Sequence, residues 1–127
     1  MEANNRKKIL VAEDDAVNQF IIEKMLDGKK YDVIVVNDGS EVNNEIKKND
    51  FDLILMDINM PKVDGIEATE KIRKKEKKTG KHVPIIGITA FNGIENRDEF
   101  LAIGMDEFLP KQLIKNNLQE VVEKYLI

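Results

Sequence analysis

Five short apolar runs, separated by segments of helical length, constrain the fold of this chain more than any other feature. The runs cover residues 8–12, 31–36, 52–56, 83–88 and 105–109. Each run is mostly apolar and too short for a globular helix, as expected for a strand buried on both faces of a parallel sheet. Pro84 lies near the start of the fourth run, where a proline is tolerated better than at the centre of a strand. We therefore predict five strands.

The segments between these runs carry apolar residues at helical spacing. The predicted helices cover residues 16–26, 40–49, 65–78, 94–103 and about 113–125. In the first helix the apolar positions are Val17, Phe20, Ile21 and Met25. The residues expected to face the core in the later helices are Val42, Ile46, Ile66, Thr69, Ile72, Ile114, Leu118, Val121, Val122 and Tyr125.

This alternation predicts an α/β fold, in which a five-stranded parallel sheet carries helices on both faces through right-handed crossovers. The flavodoxin-like strand order 2-1-3-4-5 suits five such units. Asp14 or Asp15 is available to cap the first helix. At 127 residues, with no linker or low-complexity segment, residues 1–127 are expected to form a single domain.

Composition excludes several classes of function. The chain has no cysteine, so disulfides, thiolate metal sites and thiol catalysis are absent. A net charge of −4 argues against a nucleic-acid surface, and the basic run 71–81 is expected to be a solvated helix face and loop. His82, the only histidine, is expected to be structural or exposed. Neither a membrane span nor a signal peptide is visible, so the cytoplasm is the expected location.

Polar side chains follow four of the five predicted strands. Glu13 and Asp14 follow the first strand, Asp57 the third and Thr89 the fourth, and Lys111 comes shortly after the fifth. The carboxyl ends of parallel strands meet at one edge of a sheet, which is where ligands bind in open α/β folds. We therefore expect these side chains to form one site.

Clustered carboxylates repel one another unless a cation neutralises them. Oxygen ligands without His or Cys favour Mg²⁺, which commonly combines one or two carboxylates with phosphate oxygens. Lys111 and the Thr89 hydroxyl suit the remaining phosphoryl oxygens. Asp57 would attack a phosphoryl group and hold it as an acyl phosphate. Residues 37–38 end an outer strand and are expected to lie too far away to take part.

The motifs KILVAEDDAVNQ, LILMDINMPKVDGIEATEKIR and PIIGITA, together with Lys111, resemble the response-regulator receiver domains of two-component signalling. The resemblance covers essentially the whole chain and is greatest to the receivers of hybrid histidine kinase systems. It implies that Asp57 is the phosphoacceptor, that Asp14 ligates Mg²⁺ directly and that Glu13 does so through water. It also implies that the backbone carbonyl of Asn59 is a ligand.

The resemblance further implies that Thr89 turns toward the phosphoryl group, that Lys111 pairs with it and that Phe108 is the switch aromatic. A histidine kinase or histidine phosphotransfer protein would donate the phosphoryl group, and a downstream protein would bind the face formed by the last two helices and the fifth strand. The family usually has proline directly after the lysine, whereas Gln112 stands there in this chain. The bulky Phe91 lies two residues after Thr89 and close to the predicted site.

Two other functions remain open at this point. Asp57-Ile58-Asn59 resembles the Asp-x-Asp signature of aspartate-nucleophile phosphatases, although Asn59 cannot serve as the general acid of that mechanism. The alternative is a docking module of the same fold that is never phosphorylated. The intact acidic set argues against a pure docking module, which would have no use for mutually repelling carboxylates.

Overall fold

The computed structural model describes residues 6–26, 28, 30–58, 64–89, 97–111 and 114–126. The strands are β1 (Lys7–Ala12), β2 (Tyr31–Val36), β3 (Leu53–Asp57), β4 (Ile85–Thr89) and β5 (Glu107–Pro110). The helices are α1 (Ala16–Met25), α2 (Gly39–Lys48), α3 (Gly65–Thr79), α4 (Arg97–Ile103) and α5 (Ile114–Leu126). Strands and helices alternate along the whole described chain, as the sequence predicts.

The strands form one parallel sheet in the order β2-β1-β3-β4-β5, which confirms the predicted flavodoxin-like topology. The register aligns the carboxyl ends of the four strands that carry the predicted site residues, β1, β3, β4 and β5. Ala12 pairs with Met56, Asp57 with Ile88, and Thr89 with Pro110. The predicted site residues therefore reach the same edge of the sheet.

The sheet divides the core into two apolar clusters. Along β3, Leu53 and Leu55 pack with the buried residues of α1 and α5, whereas Ile54 and Met56 pack with those of α2, α3 and α4. Successive side chains of a strand point to opposite faces, so a strand covered on both faces must be apolar at every position. All five residues of β3 are accordingly buried, including Asp57 at its end.

The buried face of α1 differs from the predicted one. Val17 and Phe20, expected among the packed positions, are 64% and 61% exposed, and the helix instead buries Ile22 and the following Leu26. A helical stripe centred on Ile22 places Val17 and Phe20 on the opposite side. Apolar spacing alone misassigned the face because two of the apolar residues of α1 lie on the solvent side.

Three helices begin at an aspartate cap. Asp15 accepts a hydrogen bond from the Asn18 amide in α1, which settles the choice between Asp14 and Asp15. Asp38 caps α2, so this helix begins at Gly39, one residue earlier than predicted. Asp64 accepts from the Glu67 amide at the start of α3. These caps satisfy amide groups that would otherwise have no partner.

The fourth and fifth strands both begin two residues later than predicted. The Val83 amide donates to the Glu76 carboxylate at 2.7 Å and Pro84 has no N–H, so pairing as β4 begins only at Ile85. The Met105 amide returns to the Phe100 carbonyl at 3.2 Å, which leaves β5 to begin at Glu107. The predicted start of the fourth helix at residue 94 and that of the last at residue 113 lie outside the described residues.

Arg73 departs from the solvated face predicted for residues 71–81. Its side chain is 14% exposed and pairs with Glu76 at 2.6 Å and Asp106 at 2.8 Å, while Nε donates to the Gly104 carbonyl at 2.8 Å. His82 is exposed, as predicted, and its Nε2 lies 2.8 Å from Asp106 Oδ1. These contacts tie α3 to the turn between α4 and β5. None of the helices in the described ranges has the length and apolar character needed to cross a bilayer.

Candidate functional site

Three carboxylates meet where β1 and β3 end side by side. Glu13 and Asp14 follow β1, and Asp57 is the last residue of β3. One oxygen from each carboxylate lies within 4.8 Å of the others. Glu13 and Asp57 are fully buried, whereas Asp14 is exposed. The group therefore has two interior carboxylates and one that faces solvent.

Lys111 brings a positive charge to the two buried carboxylates. Its Nζ lies 3.2 Å from Asp57 Oδ2 and 3.6 Å from Glu13 Oε2. Burial by itself lowers the pKa of Lys111, but the nearby charges of Asp57 and Glu13 raise it above its ordinary value. The ammonium group thus stays charged at neutral pH.

The carboxyl group of Glu13 is only partly satisfied. Its Oε2 accepts a hydrogen bond from the Asp15 amide at 3.0 Å, but its buried Oε1 has no hydrogen-bond partner among the described residues. Burial first, and then the neighbouring Asp57, raise the pKa of Glu13 to about 8, against the opposing effects of the Asp15 amide and Lys111. A buried oxygen without a partner is unusual in a folded protein, and it leaves Glu13 able to accept a hydrogen bond from a ligand or from metal-bound water.

The donor set fits a divalent metal ion. Three oxygen donors without His or Cys match the preference of Mg²⁺. A hydrated cation would satisfy the unpaired Glu13 Oε1 through a bound water, and it would reduce the repulsion from Asp57 that adds to burial in raising the pKa of this residue. The part of this site that the structure describes is therefore suited to Mg²⁺.

A glycine lies directly against the backbone of Asp57. A Cβ atom added to Gly65 would clash with the Asp57 carbonyl oxygen. The Gly65 amide donates to the Ile58 carbonyl at 3.1 Å, and the Ile58 amide donates to Ile88 at 2.9 Å. The start of α3 and strand β4 therefore both hold Ile58, the residue that directly follows Asp57.

Thr89 and Phe108 occupy different surroundings. Thr89 is buried at the end of β4, one residue beyond the partner of Asp57 in the ladder. Phe108 pairs with Gly87 in the sheet and packs edge-to-face on Phe100 of α4, with ring centroids 6.0 Å apart. Thr89 thus lies at the carboxyl edge of the sheet, next to the acidic site, whereas Phe108 packs against α4.

Gln19 was not predicted as part of this region. Its Nε2 donates to the Glu13 carbonyl at 2.5 Å and to Asn37 Oδ1 at 2.8 Å, so it joins the ends of β1 and β2. Asp38 caps α2 and is not a member of the acidic group, as expected. A polar residue one turn into α1 was the only available signal for Gln19.

Three residues named from the sequence lie outside the described residues. They are Asn59, Phe91 and Gln112.

The fold and the site together define a class of protein. A doubly wound five-stranded sheet carries two buried carboxylates, an exposed one and a lysine at the carboxyl edge. Residues 9–123 match the response regulator receiver domain family, and the chain belongs to that family. It is a receiver domain of the kind found in two-component and phosphorelay signalling.

Individual relatives support this assignment. The chain is 34% identical to a probable histidine kinase 1 of Oryza sativa subsp. indica over 98% of its own length, but spans only 16% of that protein. It is 37% identical, with a TM-score of 0.82, to the receiver domain of a Pseudomonas aeruginosa PAO1 sensor histidine kinase, whose structure has a magnesium ion coordinated in the active-site cleft. That match covers 94% of this chain and 97% of the other.

A third relative has been solved with its partner. The receiver domain of the Saccharomyces cerevisiae response regulator Ssk1, in a co-crystal with the histidine phosphotransfer protein Ypd1, is 29% identical with a TM-score of 0.81. The match covers 98% of this chain and 89% of the other.

Proposed function

We propose that Asp57 accepts a phosphoryl group from a phosphohistidine and that the resulting acyl phosphate changes the protein's binding surface. The observation that carries this proposal is the position of Lys111 Nζ, 3.2 Å from the buried Asp57 carboxylate and beside two further acids. A fixed cation and a nucleophilic carboxylate at one sheet edge are what phosphoryl transfer requires of a protein.

In the proposed reaction an Asp57 carboxylate oxygen attacks phosphorus. A new O–P bond forms, the N–P bond of the phosphohistidine breaks, and the released imidazole takes up a proton. Lys111 would then turn its charge from the Asp57 oxygen to a phosphoryl oxygen. Water then hydrolyses the acyl phosphate slowly and returns Asp57 to its free carboxylate. The chain therefore catalyses both its own phosphorylation and its own dephosphorylation.

The metal would be held by Asp14, Asp57, the carbonyl of Asn59 and, through water, Glu13. Bound Mg²⁺ supplies charge that neutralises the carboxylates and the incoming phosphoryl oxygens. Thr89, buried at the end of β4, is proposed to donate a hydrogen bond from its hydroxyl to the phosphoryl group. Phe108 is proposed to move in response to Thr89 and, through its contact with Phe100, to transmit the change to α4.

The proposed donor is a histidine kinase or a histidine phosphotransfer protein. The Ssk1 relative is bound to such a partner in its structure. Val17 and Phe20 are exposed on α1, a helix capped by Asp15 directly after the acidic pair. This apolar face beside the site supports docking of the donor there. We propose the face of α4, β5 and α5 for a downstream protein.

The test is intact-mass measurement after incubation with acetyl phosphate and Mg²⁺. We expect the wild type to gain one phosphoryl group and Asp57→Asn to gain none. A cooperative thermal unfolding transition of Asp57→Asn would show that the variant is folded. Asp50→Asn, which removes an exposed carboxylate far from the site, is the matched control and should be phosphorylated normally. A folded wild type that gains no adduct, even with rapid sampling, would favour the docking module over the phosphoacceptor.

A further inference from the structure

A cavity of about 710 Å³ opens at the edge of the sheet opposite to the acidic site. It lies between the C-terminal ends of α2 and α3 and the segments that lead into β3 and β4. Its apolar wall consists of Ile46, Phe51, Ile54, Ile72, Val83 and Pro84. A volume of this size lies within the range of small-molecule sites, roughly 300 to 1,000 Å³.

Two acids that line the cavity already have partners in the fold. Glu76 pairs with Arg73 at 2.6 Å. Asp52 accepts a hydrogen bond from the Lys8 backbone amide at 2.8 Å. Because these two carboxylates are already paired within the fold, they do not favour a cation as the ligand of the cavity.

The remaining charges leave two lysines at the mouth of the cavity. Asp50 is 91% exposed and pairs with Lys81 at 3.7 Å. Lys47 on α2 and Lys75 on α3 line opposite walls, and across the part of the chain that the structure describes neither forms an ion pair. The carbonyl ends of α2 and α3 disfavour an anion, but each last turn carries two lysines that offset this effect.

We propose that this cavity binds an amphipathic anion, with an aromatic or aliphatic body against the apolar wall and a carboxylate or sulfonate between Lys47 and Lys75. The apolar body would remove half-exposed Ile46, Phe51 and Val83 from water. The two ammonium groups would then select an anion over a neutral or cationic molecule of the same shape. The site is independent of Asp57 and of phosphorylation.

The experiment uses two probes that differ in one group. The fluorescent anion 1-anilinonaphthalene-8-sulfonate and its neutral counterpart N-phenyl-1-naphthylamine are titrated into the protein, with binding located by NMR shifts of the cavity residues. The test variant is Lys47→Gln/Lys75→Gln. The matched control is Lys48→Gln/Lys74→Gln, which makes the same charge change at neighbouring exposed positions that do not line the cavity.

We expect saturable shifts at Ile46, Phe51, Ile72 and Val83, and an affinity for the sulfonate that falls about five- to tenfold in the test variant only. Binding of the neutral probe should be unchanged. The proposal is overturned if the shifts fall on the exposed apolar face of α1 instead, if both variants lose the same affinity, or if neither probe binds. Equal loss in both variants would indicate attraction to the overall charge of the protein.

Discussion

The buried carboxyl group of Glu13 makes the stability of this receiver depend on pH. The pKa of Glu13 rises from 4.5 to about 8 in the folded protein. The folded state therefore keeps a proton that the unfolded chain releases as the pH rises through this window. Stability in the absence of metal is expected to fall between these two pH values and to level off above them.

Glu13→Gln should remove this dependence. The amide cannot ionise, so at pH 8 the metal-free variant should be more stable than the wild type by about 1 to 3 kcal/mol, with little difference near pH 5. Urea unfolding in a chelator across this pH range checks the prediction. Glu23→Gln, an exposed position on α1, is the control. Parallel pH profiles for the wild type and Glu13→Gln would contradict it.

Lys111→Met should slow phosphorylation without preventing folding. The substitution keeps an unbranched side chain, one atom shorter than that of lysine, but removes the charge 3.2 Å from Asp57 that would stabilise the incoming phosphoryl oxygens. We expect the rate with acetyl phosphate to fall by about 10- to 100-fold. Time-resolved intact mass measures the rate, and Lys115→Met, exposed on α5, should react like the wild type. An unchanged rate would separate Lys111 from the chemistry.

Residue types at strand ends were enough to locate the acids and the lysine of the candidate site. Glu13, Asp14 and Asp57 converge because β1 and β3 are neighbours, and Lys111 reaches them from the end of β5. The burial of Glu13 was not predictable, because it depends on how tightly the loop after β1 closes. The unpaired Oε1 of this residue likewise appears only in three dimensions.

At the scale of a secondary-structure element, the start of α3 is set by how closely it approaches β3. Gly65→Ala would place a methyl group against the Asp57 carbonyl, and the helix would have to shift. We expect a loss of about 1 to 3 kcal/mol in stability and slower phosphorylation, because Asp57 moves with its backbone. Gly28→Ala meets no atom within 4 Å and should change stability by less than about 0.5 kcal/mol. Urea unfolding and intact mass test both variants.

The contacts of Arg73 predict a second effect at this scale. Arg73→Met would leave Asp106 and Glu76 without their common partner and free the turn between α4 and β5. Since these groups are mostly but not fully buried, a loss of about 2 to 3 kcal/mol is expected. Lys74→Met, exposed on the same helix, should have almost no effect. Equal losses in the two variants would show that Arg73 contributes only as part of the solvated face.

Helix faces were less predictable than helix positions. Charge density suggested a solvated run around Arg73, but one guanidinium in that run reaches across to Asp106, at a separation in sequence that composition cannot reveal. In α1 the error had the opposite sign, since Val17 and Phe20 are apolar and yet exposed. Both errors have the same cause. A periodic pattern reports residue type, whereas burial depends on which neighbours the topology supplies.

At the scale of the whole molecule, the exposed face of α1 should distinguish a protein donor from a small one. The donor for this test is a histidine phosphotransfer protein that phosphorylates the wild type. With it, we expect Val17→Ala/Phe20→Ala to be phosphorylated about tenfold or more slowly than the wild type, because apolar anchors dominate protein interfaces. The rate with acetyl phosphate should stay the same, since neither side chain belongs to the acidic group. Equal slowing with both donors would show that the substitutions disturb the folded structure and not the docking of the protein donor.

The side chains of β3 alternate between the two core clusters, so the direction of the Asp57 side chain depends on whether the number of strand residues before it is odd or even. Leu53, Leu55 and Asp57 point to one side of the sheet, and Ile54 and Met56 to the other. Adding or deleting one residue within the strand would turn the Asp57 carboxylate toward the wrong layer of helices. Residues added before Leu53 would lengthen a connection and leave that direction unchanged. Related chains can therefore differ freely in loop length, while the parity of the count along this strand has to stay fixed.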